Sequence, residues 1–151
     1  MPKARPAVLS YPETNYAAQV MPDLRREGER RRLTPAGLKA FFRIIERWSV
    51  GDEDARELLG GISNGAYYQL KANPGIAKTQ DRDRLTRISY LIGIFKSLNI
   101  LYSPRLADQW VQLPNTNPIF NGSTPLAYIL QGAIPAMDTV RRLLDARRGG
   151  R

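Results

Sequence analysis

The sequence contains no cysteine and no histidine among its 151 residues. Without cysteine there is no disulfide framework, no thiolate zinc site and no thiol nucleophile. Without histidine the commonest general base and the commonest transition-metal ligand are both missing. Ser-His-Asp triads, zincin-type sites and zinc fingers are thereby excluded. Long apolar runs are lacking too: no stretch approaches the ~20 residues that span a bilayer, and Met1 to Ser10 holds no signal-type apolar core. These absences lead to the expectation of a cytoplasmic, non-enzymatic protein with no membrane association, no metal and no cofactor. What remains is ordinary globular composition, 42% hydrophobic and 25% charged, in a length that suits one compact domain or two small ones.

Acidic residues are the scarcer sign. Lys+Arg number 23 against 14 Asp+Glu, a net charge of +9. Residues 1–33 hold 7 basic and 4 acidic residues, residues 34–102 hold 10 and 7, and residues 103–151 hold 6 and 3. The excess is therefore spread evenly rather than gathered in one basic tail. That balance favours anionic partners, nucleic acid first.

The chain divides at three textures. Residues 1–33 read as a flexible basic arm: Pro2, Pro6, Pro12 and Pro22 break regular structure, and Asp23 to Arg32 is a charge run that cannot bury a face. From residue 34 the pattern is helical. Thr34-Pro35 reads as a helix start, with Leu38, Phe41, Phe42, Ile45 and Trp48 in one apolar stripe and Val50-Gly51 as its end. Asp52-Glu53-Asp54 opens a short helix that Gly60-Gly61 stops. A third helix is predicted over 65–72, ended by Asn73-Pro74-Gly75, and a fourth from about Arg82 to Tyr102. Residues 103–151 carry two more hydroxyl-then-proline starts, Ser103-Pro104 and Thr124-Pro125. A turn-rich connector runs from Leu113 to Gly122, and a closing helix starts near Pro135. No strand pattern competes, so the fold class is all-α.

Two short helices joined by a glycine turn between longer apolar helices describe a helix-turn-helix. The second would be the reader, with Ser63, Asn64, Tyr67, Tyr68, Gln69, Lys71 and Asn73 as candidate DNA-binding residues. Asn and Gln bond adenine edges bidentately, whereas Ser, Tyr and Lys suit phosphate oxygens. One of the two adjacent tyrosines must face inward. Arg43, Arg47, Arg56, Lys78, Arg82, Arg84 and Arg87 are further candidates for phosphate contact, although a solvated helix face explains most of them. Catalytic chemistry has little to stand on. The acidic pairs Asp52/Asp54 and Asp81/Asp83 sit in first turns where helix capping accounts for them. The stretch Gly60-Gly61-Ile62-Ser63-Asn64-Gly65 lacks the Lys-Ser/Thr of a phosphate loop.

Residues 41–102, from Phe41-Phe42-Arg43-Ile44-Ile45 through Leu58-Leu59-Gly60-Gly61-Ile62 to Asp83-Arg84-Leu85, resemble the Xre-like helix-turn-helix part of the Xre/MbcA/ParS antitoxins. Residues 110–150 resemble that family's toxin-binding part. The marks there are Trp110, Leu113-Pro114-Asn115, Asn117-Pro118, Phe120, Gly122, Thr124-Pro125-Leu126, Leu130, Gly132 and the run from Val140 to Arg147. The reader helix departs from the family pattern, with Asn64-Gly65 at its start and Leu70 near its end. The resemblance implies a helix-turn-helix DNA-binding domain over 34–102 and a small helical toxin-binding domain over 103–151. It implies a RES-domain toxin that consumes NAD as partner, operator DNA as target with repression of the protein's own operon, and a homodimer within the toxin–antitoxin complex. In such complexes the C-terminal segment lies at the mouth of the toxin's active site.

The closing helix fits that role on its own chemistry. Arg141, Arg142, Leu144, Arg147, Arg148 and Arg151 are the candidate toxin-binding residues, and Asp138 and Asp145 stand at ion-pairing distance along the helix. Gly149-Gly150-Arg151, a diglycine bearing a cation and a carboxylate, could enter a narrow cleft. The competing reading is a stand-alone helix-turn-helix regulator with no toxin.

Overall fold

A computed structural model describes residues 21–149. Among these residues every regular element is helical, in agreement with the all-α expectation. The six α-helices are α1 (Glu27–Arg47), α2 (Asp52–Leu58), α3 (Asn64–Ala72), α4 (Arg82–Leu101), α5 (Pro104–Gln109) and α6 (Pro125–Gly149), with short 3-10 turns at Pro74–Ile76, Trp110–Gln112 and Pro118–Phe120.

The first helix starts seven residues before the Thr34-Pro35 signal, and Pro35 lies inside it. The charge run is held by pairs one turn apart, Arg31 to Glu27 at 3.7 Å and Arg32 to Glu29 at 2.8 Å. Arg30 also donates to the Leu24 and Arg25 carbonyls, both at 2.9 Å. Thr34 is no cap. Its buried hydroxyl donates to the Arg30 carbonyl (2.7 Å) and accepts the Gln80 backbone N–H (3.1 Å), tying α1 to the segment before α4. The predicted flexible arm therefore includes residues that are helical, while residues 1–20 lie outside the described region.

The stops follow backbone chemistry. At the end of α1, Ser49 adopts the left-handed conformation (φ 55°), and the N–H groups of Ser49 and Val50 bond back to Glu46 and Ile45. At the end of α2, Gly60 takes the same position at φ 98°, with Gly60 and Gly61 bonding back to Glu57 and Arg56. These paired bonds are the helix C-terminal motif for which glycine is favoured because it lacks Cβ.

Helix α4 is the central strut. One side meets α1, where a Cβ on Gly37 would touch Ile88 and Leu85, and where Trp48 lies 6.3 Å from Phe95. The other side meets α6 through Gly93 and Ser97. The sequence stripe Leu85, Ile88, Leu91, Ile92, Phe95, Leu98 and Leu101 captured the first contact. It missed Gly93, Ile94 and Ser97, which are also buried, Gly93 and Ser97 of them against α6. One continuous core runs from Leu38 in α1 to Leu144 in α6, crossing residue 102 without a gap. Trp110, Phe120 and Tyr128 pack edge-to-face and pin the connector onto it.

The connector orders itself by side-chain caps. The Asn115 carboxamide oxygen accepts the Asn117 N–H at 2.9 Å, and the Asn117 oxygen accepts the Ile119 N–H at 3.1 Å. Thr124 then caps α6 by accepting the Ala127 N–H at 3.1 Å. Helix α6 is broken at Ala133, whose φ of 55° and ψ of −139° are non-helical. The predicted start near Pro135 is thus the second limb of a longer element. The break needs Gly132: a Cβ there would stand 2.6 Å from the Ala136 methyl.

Candidate functional site

Two regions bear on function: the α2–turn–α3 pair, and the face of α6 with its supports on α4. In the first, Ser63 caps α3 by accepting the Ala66 N–H at 3.3 Å. Ser63, Asn64, Tyr68, Gln69, Lys71 and Asn73 are exposed, as a reading face requires. Tyr67 is not. It is fully buried, stacked near Phe42 and Tyr68, so it belongs to the core and is withdrawn from the candidate DNA-binding set. Of the adjacent tyrosines, Tyr68 is the outward one.

Sequence reasoning missed the residue that organises this face. Asp52, at the first turn of α2, accepts the Tyr67 hydroxyl (2.8 Å) and the Lys71 ammonium (2.9 Å) on one oxygen, and the Tyr68 hydroxyl (2.9 Å) on the other. The hydrogen bond from Lys71, then those from the two phenols, hold its carboxyl down at about 2. Burial and the same carboxylate push the Tyr67 phenol up. Its partners lie 15 to 19 residues along the chain, so no local spacing could reveal it. Two arginines proposed for phosphates instead brace turns. Arg56 donates to the Ile62 carbonyl at 2.9 Å, and Arg84 to the Leu59 carbonyl at 3.1 Å. Arg87 pairs with Asp83, and Arg47 with Asp108, both at 2.9 Å. Arg43, Lys78 and Arg82 are exposed without an ion pair among the described residues.

On α6 the candidate arginines are already engaged with their own chain. Arg141 donates to Asp145 at 3.2 Å and lays its guanidinium in the notch left by Gly93. Arg142 pairs with Asp138 at 3.0 Å, and Asp138 also accepts the Tyr90 hydroxyl at 3.2 Å. Burial, then Asp138, pushes the Tyr90 phenol up. Arg147 donates to the Tyr102 hydroxyl at 2.9 Å. Arg148 donates to the buried Ser97 hydroxyl at 3.2 Å, and Ser97 in turn donates to Asp145 at 3.1 Å. These contacts clamp α6 on α4. Arg142, Arg147 and Arg148 keep exposed guanidinium surface, whereas Leu144 is fully buried in the core and is corrected from a toxin contact to a packing residue. Arg151 lies outside the described residues.

Among the described residues no group of three or more Asp and Glu could hold a metal ion, and no helix is long and apolar enough to cross a membrane.

Comparison with known proteins gives the C-terminal region its meaning. A family model described as the antitoxin Xre/MbcA/ParS C-terminal toxin-binding domain matches residues 97–150. That span begins at Ser97, in the last part of α4, and takes in α5, the connector and α6. The chain is also 38% identical over 117 residues, 77% of its length and 87% of the relative, to the uncharacterized protein y4oB of Sinorhizobium fredii (strain NBRC 101917 / NGR234). No solved structure matches it significantly. The chain belongs to the Xre/MbcA/ParS family of antitoxins.

Proposed function

We propose that this antitoxin neutralises a RES-domain toxin that consumes NAD, by laying the end of α6 at the toxin's active-site mouth. The observation that carries the reading is the match of residues 97–150 to a toxin-binding domain. What further supports it is the charge on the last turn of α6, where Arg147 and Arg148 are exposed. Cations there meet the acidic rim of a cleft and also stabilise the helix C-terminus. The clamp of Arg141, Asp145 and Ser97 supplies rigidity: it fixes where α6 points before the partner arrives, which lowers the ordering cost of binding. In this reading Arg142, Arg147, Arg148 and Arg151 face the partner, and Arg141 and Leu144 hold the helix. The decisive experiment co-expresses the toxin with the full chain or with residues 146–151 deleted, then measures NAD consumption. Loss of inhibition with retained co-purification supports a blocking segment. Unchanged inhibition refutes it.

The same reading gives residues 34–102 the operator. Asn64 and Gln69 of α3 and Asn73 just past its end are exposed amides suited to base edges, and a dimer would offer two such helices to half-sites about one DNA turn apart. Tyr68 can donate to phosphate only by leaving Asp52, whereas the Lys71 ammonium has donors left beside its Asp52 bond. A gel shift on the upstream DNA, with salt varied, tests this. Gln69→Ala should weaken binding while leaving toxin neutralisation intact, and affinity must fall as salt rises.

A further inference from the structure

We propose that the seam between α1 and α4 is a docking groove for an acidic amphipathic helix of a partner protein. Two adjoining depressions, of about 400 and 640 Å³, share Ala36, Ala40, Ile92 and Lys96 and so form one trough along the seam. From Leu33 to Arg47 it extends about 21 Å at the α-helical rise, the length of roughly four helical turns. Its floor is apolar: Leu33, Ile88, Ile92 and Phe95, with Ala36 and Ala40 leaving room for close approach of another backbone.

The rim says what fits. Lys39, Arg43 and Lys96 line the trough, all exposed, and none has an ion pair or side-chain hydrogen bond among the described residues. On α6, by contrast, Arg141, Arg142 and Arg148 each meet an aspartate. Arg47 at the trough's end is paired with Asp108, and among the described residues no acidic side chain lines the trough itself. An apolar floor offers nothing to a phosphodiester chain, and a second copy would bring the same cations face to face. A helix with leucine-type anchors at one-turn spacing and carboxylates on its flanks satisfies both features. Apart from Asn99, the trough lies N-terminal to the matched toxin-binding region, so this surface is distinct from the one proposed for the end of α6.

The test uses the full-length protein and a fluorescein-labelled synthetic helix of about 14 residues, leucine on one face and glutamate on both flanks. Its comparators are a scrambled peptide of the same composition and a DNA duplex of equal charge. Anisotropy should show saturable binding of the amphipathic peptide. Arg43→Glu with Lys96→Glu, both at exposed positions, should weaken it tenfold or more, and Ala40→Glu should do the same through the floor. Equal binding of the scrambled peptide, or full competition by the duplex, would reduce the trough to a general polyanion surface. A self-associating wild type that Ala40→Glu turns monomeric would assign the trough to a second copy. Either result overturns the proposal, as does charge reversal without effect.

Discussion

Replacing Ala133 by glycine should stabilise the protein, the reverse of what such a change does in an ordinary helix. Ala133 sits at φ 55°, ψ −139° inside the run from Pro125 to Gly149. That region of backbone space suits glycine almost alone, and holding a side chain there costs about 1–3 kcal/mol. Glycine removes the strain but adds roughly 0.5–1 kcal/mol of chain entropy to the unfolded state. The balance is a gain of about 1 kcal/mol, or a rise in Tm of about 2–4 °C for a chain of this size. Thermal unfolding followed by circular dichroism reads it. Ala36→Gly, at an exposed position inside α1, is the comparator and should lose about 1 kcal/mol. If Ala133→Gly lowers Tm as much as Ala36→Gly does, the strain argument is wrong.

Leu144→Ala, at a fully buried site, should cost about 2–5 kcal/mol and lower the Tm of the free protein by roughly 10 °C; a wild-type melting curve would return Leu144 to the partner surface. Asp52 titrates at about 2 in the folded protein against an ordinary value of 3.8, so its contribution is present above pH 4 and is lost as pH falls toward 2. The urea midpoint of wild type should therefore drop more between pH 5 and pH 2.5 than that of Asp52→Asn, and parallel drops would remove Asp52 from the acid response. A methyl on Gly93 collides with the Arg141 guanidinium. Gly93→Ala should consequently gain up to about 1 kcal/mol of helix propensity only when Arg141 is also alanine. Additive effects in that double-mutant cycle would show that the notch is not shared.

Helix identity and order were legible because they rest on short-range chemistry. The glycine pair after Leu59, Ser63 before α3, Asp81 before α4 and Thr124 before α6 each act within five residues of their own position. The all-α class and the order of the helices follow from such signals together with apolar spacing, whereas the joining of the Thr124-Pro125 start and the Pro135 helix into one α6 does not. What stayed hidden acts over longer separations. Thr34 reads as a cap because hydroxyl-then-proline usually is one, yet its partner for fixing α1 is Gln80, 46 residues on. The burial of Tyr67 over Tyr68 depended on the packing of α3 against α1, where Tyr67 meets Phe42. The pairs of the α6 arginines with Asp138 and Asp145 were legible at one-turn spacing, but the anchoring of α6 on α4 was not, because Ser97, Tyr90 and Tyr102 are 45 to 51 positions away in sequence from the groups they meet. Charge pattern alone reports which side chains could bind a partner, not which are already occupied.

Because α4 is walled in on two opposite sides, no cut in the chain isolates the N-terminal helices from the C-terminal ones without baring core. A truncation after residue 102 would expose Ile94 and Leu98 to water, and a hybrid spliced there from two relatives would inherit Gly93 and Ser97 from one parent and Arg141, Asp145 and Arg148 from the other. Working hybrids must therefore exchange α4 and α6 as a set, and substitutions at those five positions should be found to travel together as such proteins diverge.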